Sequence, residues 1–217
     1  MSSLALMRWL ENSPERYDAG MNFLTLGSVG KLHAAVASAA AVTPGDRVLE
    51  IGCGTGSVTA LLIARGARVT AIDQAPEMLE QAQRRLAPDA SVEWLEQTAS
   101  EMDRLPEHAF DSVVICLCLS DMSTSERAFV LREAALRLAP GGCLVAADEV
   151  RAAGRGQRLA QLLWRGPQAA LGWLLVGSLS QPLANLVGDI RQAGLCVSHE
   201  ETWLSGTLAL VVAEAAP

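Results

Sequence analysis

Residues 48–56 read VLEIGCGTG, with an acidic side chain at Glu50 followed by three alternate glycines, Gly52, Gly54 and Gly56. The apolar run before the glycines is typical of a buried strand, and the sequence after them is typical of a helix. Alternate glycines let the backbone turn sharply and approach a ligand closely. The helix that follows would present unpaired N–H groups to an anionic ligand group. The stretch therefore predicts a strand, a turn and a helix that bind a nucleotide-like cofactor.

Strand and helix patterns alternate from Arg47 onward. The predicted strands are 47–51, 67–72, 91–96, 110–117 and 143–148. The predicted helices are 57–65, 76–86, 124–138 and 182–193, with a short helical turn near 100–104. Two last strands, 195–204 and 207–213, join at Ser205-Gly206 as a hairpin. Near-continuous apolar strands alternating with helices predict an α/β fold, a doubly wound sheet that is mostly parallel and ends in an antiparallel C-terminal hairpin.

The sequence divides into two parts. Residues 1–43 predict an N-terminal helical cap, because Ser13-Pro14 is a good helix start and a second helix fits Val29–Ala41. A turn at Thr43–Asp46 ends that helix. Residues 44–217 form the core domain, and its alternation is interrupted by a predicted helical insertion at 151–193.

Composition excludes several classes of protein. The chain has 217 residues and a net charge of −7, which argues against nucleic acid as a partner. Its five cysteines form no C-x-x-C pair or Cys/His cluster, so we expect reduced thiols, no metal and a cytoplasmic protein. The N-terminus does not resemble a signal peptide, and no segment is long and apolar enough to be transmembrane.

Asp73 narrows the choice of cofactor. It ends the second predicted strand, where a carboxylate can accept both hydroxyls of a ribose that lies across the strand ends. Dinucleotides and S-adenosylmethionine both use such an acid. The spacing Glu-x-Gly-x-Gly-x-Gly differs from the G-x-G-x-x-G of dinucleotide folds. Glu50 suits a ligand that carries a positive amino group, so the pattern favours S-adenosylmethionine.

From about Arg47 to its end, the chain resembles the class I S-adenosylmethionine-dependent methyltransferases. The resemblance is carried by four motifs in the family's order, namely Val48–Gly56, Asp73, Phe110-Asp111 and Pro140-Gly141-Gly142. It implies a Rossmann-like sheet of seven strands, S-adenosyl-L-methionine as the cofactor and S-adenosyl-L-homocysteine as its product.

The resemblance also implies roles for individual residues. The glycines would line the methionine part of the cofactor, Glu50 would orient its amino group, and Asp73 would hold the ribose. Thr98-Ala99 stands where relatives usually have Asp-Ala against the adenine. The implied cofactor-binding set is Tyr17, Glu50, Gly52, Cys53, Gly54, Gly56, Asp73, Gln74, Thr98, Ala99, Cys116 and Leu117.

The N-terminal stretch has two resemblances. The lead-in of the ubiquinone and menaquinone C-methyltransferases is similar to Arg16-Tyr17-Asp18, Met21-Asn22 and Leu26-Gly27 of this chain. They are also similar to the start of corrinoid protein-associated methyltransferases. The quinone family carries an Arg-Asn pair after its fourth strand, whereas this chain reads Leu119-Ser120-Asp121.

We expect a methyltransferase that acts on a small-molecule, apolar acceptor. The alternative is a corrinoid protein-associated methyltransferase, or an accessory cofactor-binding protein, that acts on a protein partner. The apolar region 159–187 would then be an interface, or a homodimer face. Candidate catalytic bases are His33, Asp148 and Glu149. Each has a structural alternative, because a lone histidine on a helix often packs and loop carboxylates are often only solvated.

Overall fold

The computed structural model describes residues 27–88, 90–151, 182–204 and 206–215. The predicted helix that starts at Ser13, most of the predicted insertion 151–193 and most of the region 159–187 lie outside these residues, as does Tyr17.

The described residues form a seven-stranded sheet with helices on both faces. The strands are β1 (Arg47–Ile51), β2 (Arg68–Asp73), β3 (Val92–Glu96), β4 (Phe110–Cys116), β5 (Leu138–Glu149), β6 (Leu195–Trp203) and β7 (Leu208–Ala215). The helices are α1 (Val29–Ala39), α2 (Ser57–Ile63), α3 (Pro76–Arg85), α4 (Thr124–Arg137) and α5 (Leu186–Gln192). Two 3-10 turns cover Ala99–Arg104 and Leu119–Asp121.

The strand order is β3-β2-β1-β4-β5-β7-β6. The first five strands pair in parallel, and β7 runs antiparallel to both of its neighbours. The predicted doubly wound sheet with a C-terminal antiparallel hairpin is therefore confirmed. The order reverses between β1 and β4, and ligands of such sheets bind in the crevice beyond the strand ends at this point.

Each face of the sheet carries its own apolar core. Alternation along β1 sends Val48 to the face covered by α1 and α2, and Leu49 to the face covered by α4 and α5. Both side chains are fully buried. A hydrogen bond of 2.9 Å from Ser112 Oγ to Ala40 O ties the end of α1 to β4. This rigid double-sided core holds the strand ends, and hence the site, in place.

The fifth strand is longer than the sequence predicts. We expected it to begin at Cys143, but β5 begins at Leu138, directly after α4. Leu138 pairs with Phe110, and Cys143 pairs with Ser112. More residues of β5 than of β4 therefore lie between these two pairs. The Pro140-Gly141-Gly142 segment makes this bulge, because proline cannot donate to the ladder and Gly141 has a φ of +79°.

The helix expected over 182–193 is also shorter. It begins at Leu186, because the Asn185 side chain accepts the Gly188 N–H at 2.9 Å as an N-cap. Leu183, which lies inside the predicted helix, instead forms a parallel bridge with Val150. Within the described residues, no helix has the length and apolar character needed to span a bilayer.

We expect Gly142→Ala to destabilise the fold. An added Cβ would lie 2.8 Å from Asp111 O and 3.0 Å from Ala139 O, which are backbone atoms that cannot move aside alone. Overpacking of this kind costs roughly 1–3 kcal/mol. Urea denaturation should show a lower midpoint for this variant.

Gly30→Ala is the matched control, because a Cβ there meets nothing within 4 Å and the site is helical. Its stability should be unchanged or higher by up to about 1 kcal/mol. Equal midpoints for the two variants would contradict the packing argument.

Candidate cofactor-binding site

A glycine loop, residues 52–56, joins β1 to α2 and is fastened to the end of β2. Gly52 N and Cys53 N both donate to Ile72 O, at 2.9 and 3.1 Å. Gly54 N donates to Asp73 Oδ2 at 2.8 Å. The loop therefore lies across the carboxyl ends of β1 and β2, as the sequence predicts.

Two of the loop's glycines meet different surroundings. Both have positive φ angles, +70° at Gly52 and +52° at Gly54, which L side chains rarely adopt. A Cβ on Gly52 would lie 2.8 Å from Cys118 Sγ, so this glycine allows the segment after β4 to pack against the loop. A Cβ on Gly54 would meet nothing within 4 Å. The loop is thus packed on one side and open at Gly54, where a ligand can approach the backbone.

Asp73 stands at the open end of β2. Its Oδ2 accepts from Gly54 N, and its Oδ1 accepts from Ala75 N at 3.0 Å. The side chain is half-buried, and the neighbouring Gln74 is exposed. A carboxylate offers about four lone-pair sites, so Asp73 retains capacity to accept hydroxyl groups of a ligand.

Glu50 lies beneath the loop on the face covered by α2. It is 2% exposed, and its Oε2 accepts from Thr59 Oγ1 at 2.6 Å. Burial raises the pKa of Glu50 to about 8, and the nearby Asp73 adds to this shift, whereas the Thr59 hydrogen bond opposes it. The carboxyl group is therefore largely protonated at neutral pH, and a nearby ligand cation would favour its ionised form.

The end of β3 lies beside Asp73, because Gln97 N donates to Asp73 O at 3.1 Å. Thr98 caps the following 3-10 turn, with its backbone N–H and hydroxyl both engaging Glu101. Gln97 Nε2 is buried and has no hydrogen-bond partner among the described residues. A buried donor of this kind needs an acceptor, which a ligand beside β3 can supply.

The end of β4 carries an unusual backbone. Leu117 has a φ of +57°, which is rare for a bulky residue and stays in place only when its surroundings hold it. Leu117 N donates to Ala147 O of β5 at 2.8 Å. Burial raises the pKa of the neighbouring Cys116 and Cys118 thiols, so both are neutral and unreactive at pH 7.

Comparison with known proteins identifies the domain. Residues 48–142 match a family described as "Methyltransferase domain". The chain is 36% identical over 107 residues to demethylmenaquinone methyltransferase of Tropheryma whipplei, covering 49% of this chain and 43% of the relative. It is 30% identical over 144 residues to ubiquinone biosynthesis O-methyltransferase of Xanthomonas campestris pv. campestris, covering 66% and 56%. The chain thus spans about half the length of these curated relatives.

Residues 48–142 therefore match a methyltransferase domain, and the relatives and the fold together support the class I, S-adenosylmethionine-dependent methyltransferases as its family. Its fold agrees with a solved structure described as an S-adenosylmethionine-dependent methyltransferase from Mesorhizobium loti, with a TM-score of 0.66 and 19% identity over 82% of this chain and 95% of that one. The cofactor expected from the glycine spacing is confirmed at the level of this family.

The residues of the methyltransferase domain fit that cofactor. The open backbone at Gly54, the half-buried carboxylate of Asp73 and the unpartnered amide of Gln97 lie along one line of strand ends, from β1 to β3. They offer backbone space, acceptors for hydroxyl groups and a buried donor, which are the features needed to bind a methionine moiety attached to a nucleoside.

The structure brings together most of the predicted cofactor-binding residues. Their contacts with the cofactor stay a prediction. The glycine loop, Asp73, Thr98 and the segment after β4 all lie at the same edge of the methyltransferase domain. His33 is half-buried on α1. Sequence reasoning overlooked Gln97, Thr59 and the packing role of Cys118, since none of them carries a local motif.

Asp148 and Glu149 end β5 of the methyltransferase domain, beside the segment after β4. Asp148 is fully buried and accepts three backbone N–H groups, from Leu119, Ser120 and Glu149. Burial raises the pKa of Asp148 to about 6, although these hydrogen bonds and one to Ser120's side chain oppose the shift. Because its oxygens accept these backbone N–H groups, Asp148 is better suited to fix the backbone around it than to accept a proton from a substrate.

We predict that Glu50 makes stability fall as pH rises. Because its folded pKa is raised from 4.5 to about 8, the folded state holds a proton that the unfolded state releases. The stabilising contribution is present below pH 4.5 and lost as pH rises through 8, at about 1.4 kcal/mol per pH unit between those values.

Glu50→Gln removes this titration while keeping a neutral acceptor for Thr59. Urea denaturation of both proteins at pH 5.5, 6.5 and 7.5 should show that the stability of the native protein relative to the variant declines with each step. Parallel stability curves would contradict the raised pKa.

Proposed function

We propose that this protein transfers a methyl group from S-adenosylmethionine to a small, apolar acceptor. The supporting observation is the glycine loop hydrogen-bonded to the end of β2, where Gly54 N meets the Asp73 carboxylate beside open backbone. This geometry supports a single binding position for the methyl donor, at the point where the strand order of the sheet reverses.

The donor supplies a methyl group that is already activated on a sulfonium sulfur. The contribution of the chain is therefore alignment, which can lower a barrier by ~7–11 kcal/mol. In this proposal Asp73 accepts the ribose hydroxyls, the backbone at Gly54 lies along the methionine moiety, and ionised Glu50 balances its amino group. The segment after β4, from Cys116 to Leu117, flanks the sulfur.

A general base is needed only where the acceptor must lose a proton, when it adds roughly 10²–10⁴-fold. Of the three candidates, Asp148 has its oxygens committed to backbone N–H groups. Glu149 is half-buried at the end of β5, and His33 is half-buried on α1. A catalytic role for any of the three stays a prediction.

The nature of the acceptor is proposed from two observations. The relatives named above are methyltransferases of demethylmenaquinone and of ubiquinone biosynthesis, so an apolar aromatic such as a quinol is the first candidate. The turn Leu119–Asp121 replaces the Arg-Asn pair of the quinone C-methyltransferases, which favours an acceptor that differs from theirs in its polar contacts.

The alternative function, action on a corrinoid or other protein partner, has no support from the comparisons. The predicted interface at 159–187 and a cytoplasmic location also stay predictions. All five cysteines are free thiols, which is consistent with a reducing compartment. Among the described residues, no group of three His, Cys, Asp or Glu side chains is arranged to hold a metal ion.

Binding of S-adenosylmethionine and S-adenosylhomocysteine tests the first half of the proposal. Both should bind in isothermal titration calorimetry and raise the melting temperature. Asp73→Ala should weaken S-adenosylhomocysteine binding roughly 10- to 100-fold, because it removes hydrogen bonds to a charged group.

Asp111→Asn is the control for this titration. Asp111 accepts the Arg47 N–H at 2.7 Å at the opposite end of the sheet, so its substitution should leave ligand affinity unchanged. Absence of binding by either ligand, or equal affinity in the Asp73→Ala protein, would refute the cofactor assignment.

A measurement of methyl transfer tests the second half of the proposal, the nature of the acceptor. The protein should convert S-adenosylmethionine to S-adenosylhomocysteine in the presence of reduced quinone-like aromatics, with the labelled methyl group recovered in the organic phase. Binding without turnover on any such acceptor, but with turnover on a protein substrate, would replace the proposal by the alternative.

A further inference from the structure

The carboxylate of Asp148 lies on an interior strand of the sheet, near the carboxyl ends of the parallel strands. It belongs to β5, whose neighbours there are β4 on one side and β7 on the other, where Asp148 pairs with Ala209. The residue has no solvent exposure. A buried charge needs several hydrogen bonds to be tolerated, so its partners indicate what it does.

Those partners are backbone groups of the segment that follows β4. Asp148 Oδ2 accepts from Leu119 N at 2.7 Å and from Ser120 N at 3.1 Å, and its Oδ1 accepts from Glu149 N at 2.7 Å. Bonds from N–H groups to a carboxylate are about twice as strong as neutral ones. One side chain of β5 thus fixes the 3-10 turn that follows β4.

This segment carries the left-handed Leu117, whose strained backbone has to be held by the structure around it. Leu117 N donates to Ala147 O, and the next anchored groups are the Leu119 and Ser120 N–H groups on Asp148. The strained residue is thus fixed on both sides by β5.

Cys118 connects the same segment to the glycine loop. Its thiol donates to Ile51 O at 3.4 Å, and its Sγ would lie 2.8 Å from a Cβ at Gly52. No side chain separates the thiol from the loop backbone. A shift of the segment would therefore remove one wall of the loop.

We propose that Asp148 is a positioning residue that holds the segment Leu117–Asp121 against the glycine loop and so shapes the cofactor site without touching the cofactor. This inference rests on the proposed function only for the identity of the ligand. The side chain acts through Leu119, Ser120 and Cys118, and it is not assigned any proton transfer.

Two substitutions test the role. Asp148→Ala leaves two N–H groups of the turn, those of the buried Leu119 and the half-buried Ser120, without their acceptor. Asp148→Asn keeps one amide oxygen for Leu119 and Ser120 but turns an NH₂ group toward the Glu149 N–H. We therefore expect a graded effect, larger for alanine than for asparagine.

The first readout is the affinity for S-adenosylhomocysteine, measured by calorimetry. It should fall roughly tenfold or more in Asp148→Ala and by a smaller factor in Asp148→Asn. Asp111→Asn is the control. Asp111 also accepts a strand N–H, but at the opposite end of the sheet, so this variant should bind S-adenosylhomocysteine with the affinity of the native protein.

The second readout does not depend on a ligand. Alkylation of each thiol, followed by mass spectrometry, should show Cys118 labelled roughly tenfold faster or more in Asp148→Ala and faster by a smaller factor in Asp148→Asn. Labelling of Cys143, five residues before Asp148 on β5 and paired with Ser112, should be unchanged in variants that remain folded. A merely global loss of stability would accelerate both thiols together.

The outcomes separate the two proposals. If the native protein fails to bind the ligand, the proposed function is refuted, and the thiol readout still tests the positioning role. If the ligand binds native and variant proteins equally and Cys118 labelling is unchanged, the positioning role is refuted. Should the alanine variant not fold, the asparagine variant decides by the same two measurements.

Discussion

Three hydrogen bonds from the glycine loop to the end of β2 are the constraint on which the site depends. Gly52 N and Cys53 N reach Ile72 O, and Gly54 N reaches the Asp73 carboxylate. They join the switch point of the sheet to the residue proposed to bind ribose. All three donors and one of the two acceptors are backbone groups, so the shape of the loop depends on only one side chain, that of Asp73. The open side of the loop is therefore formed before a ligand binds, and binding costs little conformational entropy there.

Two buried acids lie near the strand ends on different faces of the sheet, and each is stabilised differently. Glu50 lies under α2 with one hydroxyl donor, so burial dominates and the acid is largely protonated at neutral pH. Asp148 lies under the segment after β4 with several backbone donors, so its pKa is raised less, to about 6. The difference follows from the number of N–H groups that each carboxyl meets. It suits Glu50 to respond to a ligand cation and Asp148 to remain a fixed anchor.

The sequence contained enough local information to predict the sheet, the position of the glycine loop and Asp73. Strand burial, alternate glycines and Ser-x-x-Glu caps are short-range signals, and Ser123 with Glu126 forms such a cap at the start of α4. The early start of β5 was not predictable, because the bulge at Pro140-Gly141-Gly142 depends on pairing with β4. The contact of Thr98 with adenine, which the family resemblance implies, stays a prediction, and in the fold the Thr98 hydroxyl donates to Glu101.

The contacts that sequence reasoning overlooked join residues that are far apart in the sequence. Cys118 and Gly52 are far apart in sequence, and only the folded sheet brings the thiol to the place that a Cβ would fill. The sequence offers Asp148 as a candidate base or as a solvated acid at a strand end, whereas in the fold it accepts N–H groups of a turn that begins at Leu119. Both cases share one cause. At the carboxyl edge of a parallel sheet, consecutive strand ends in space come from distant parts of the chain, so the contacts that shape a ligand site there are long-range. Local motifs can therefore locate such a site, while its rigidity depends on side chains that carry no motif.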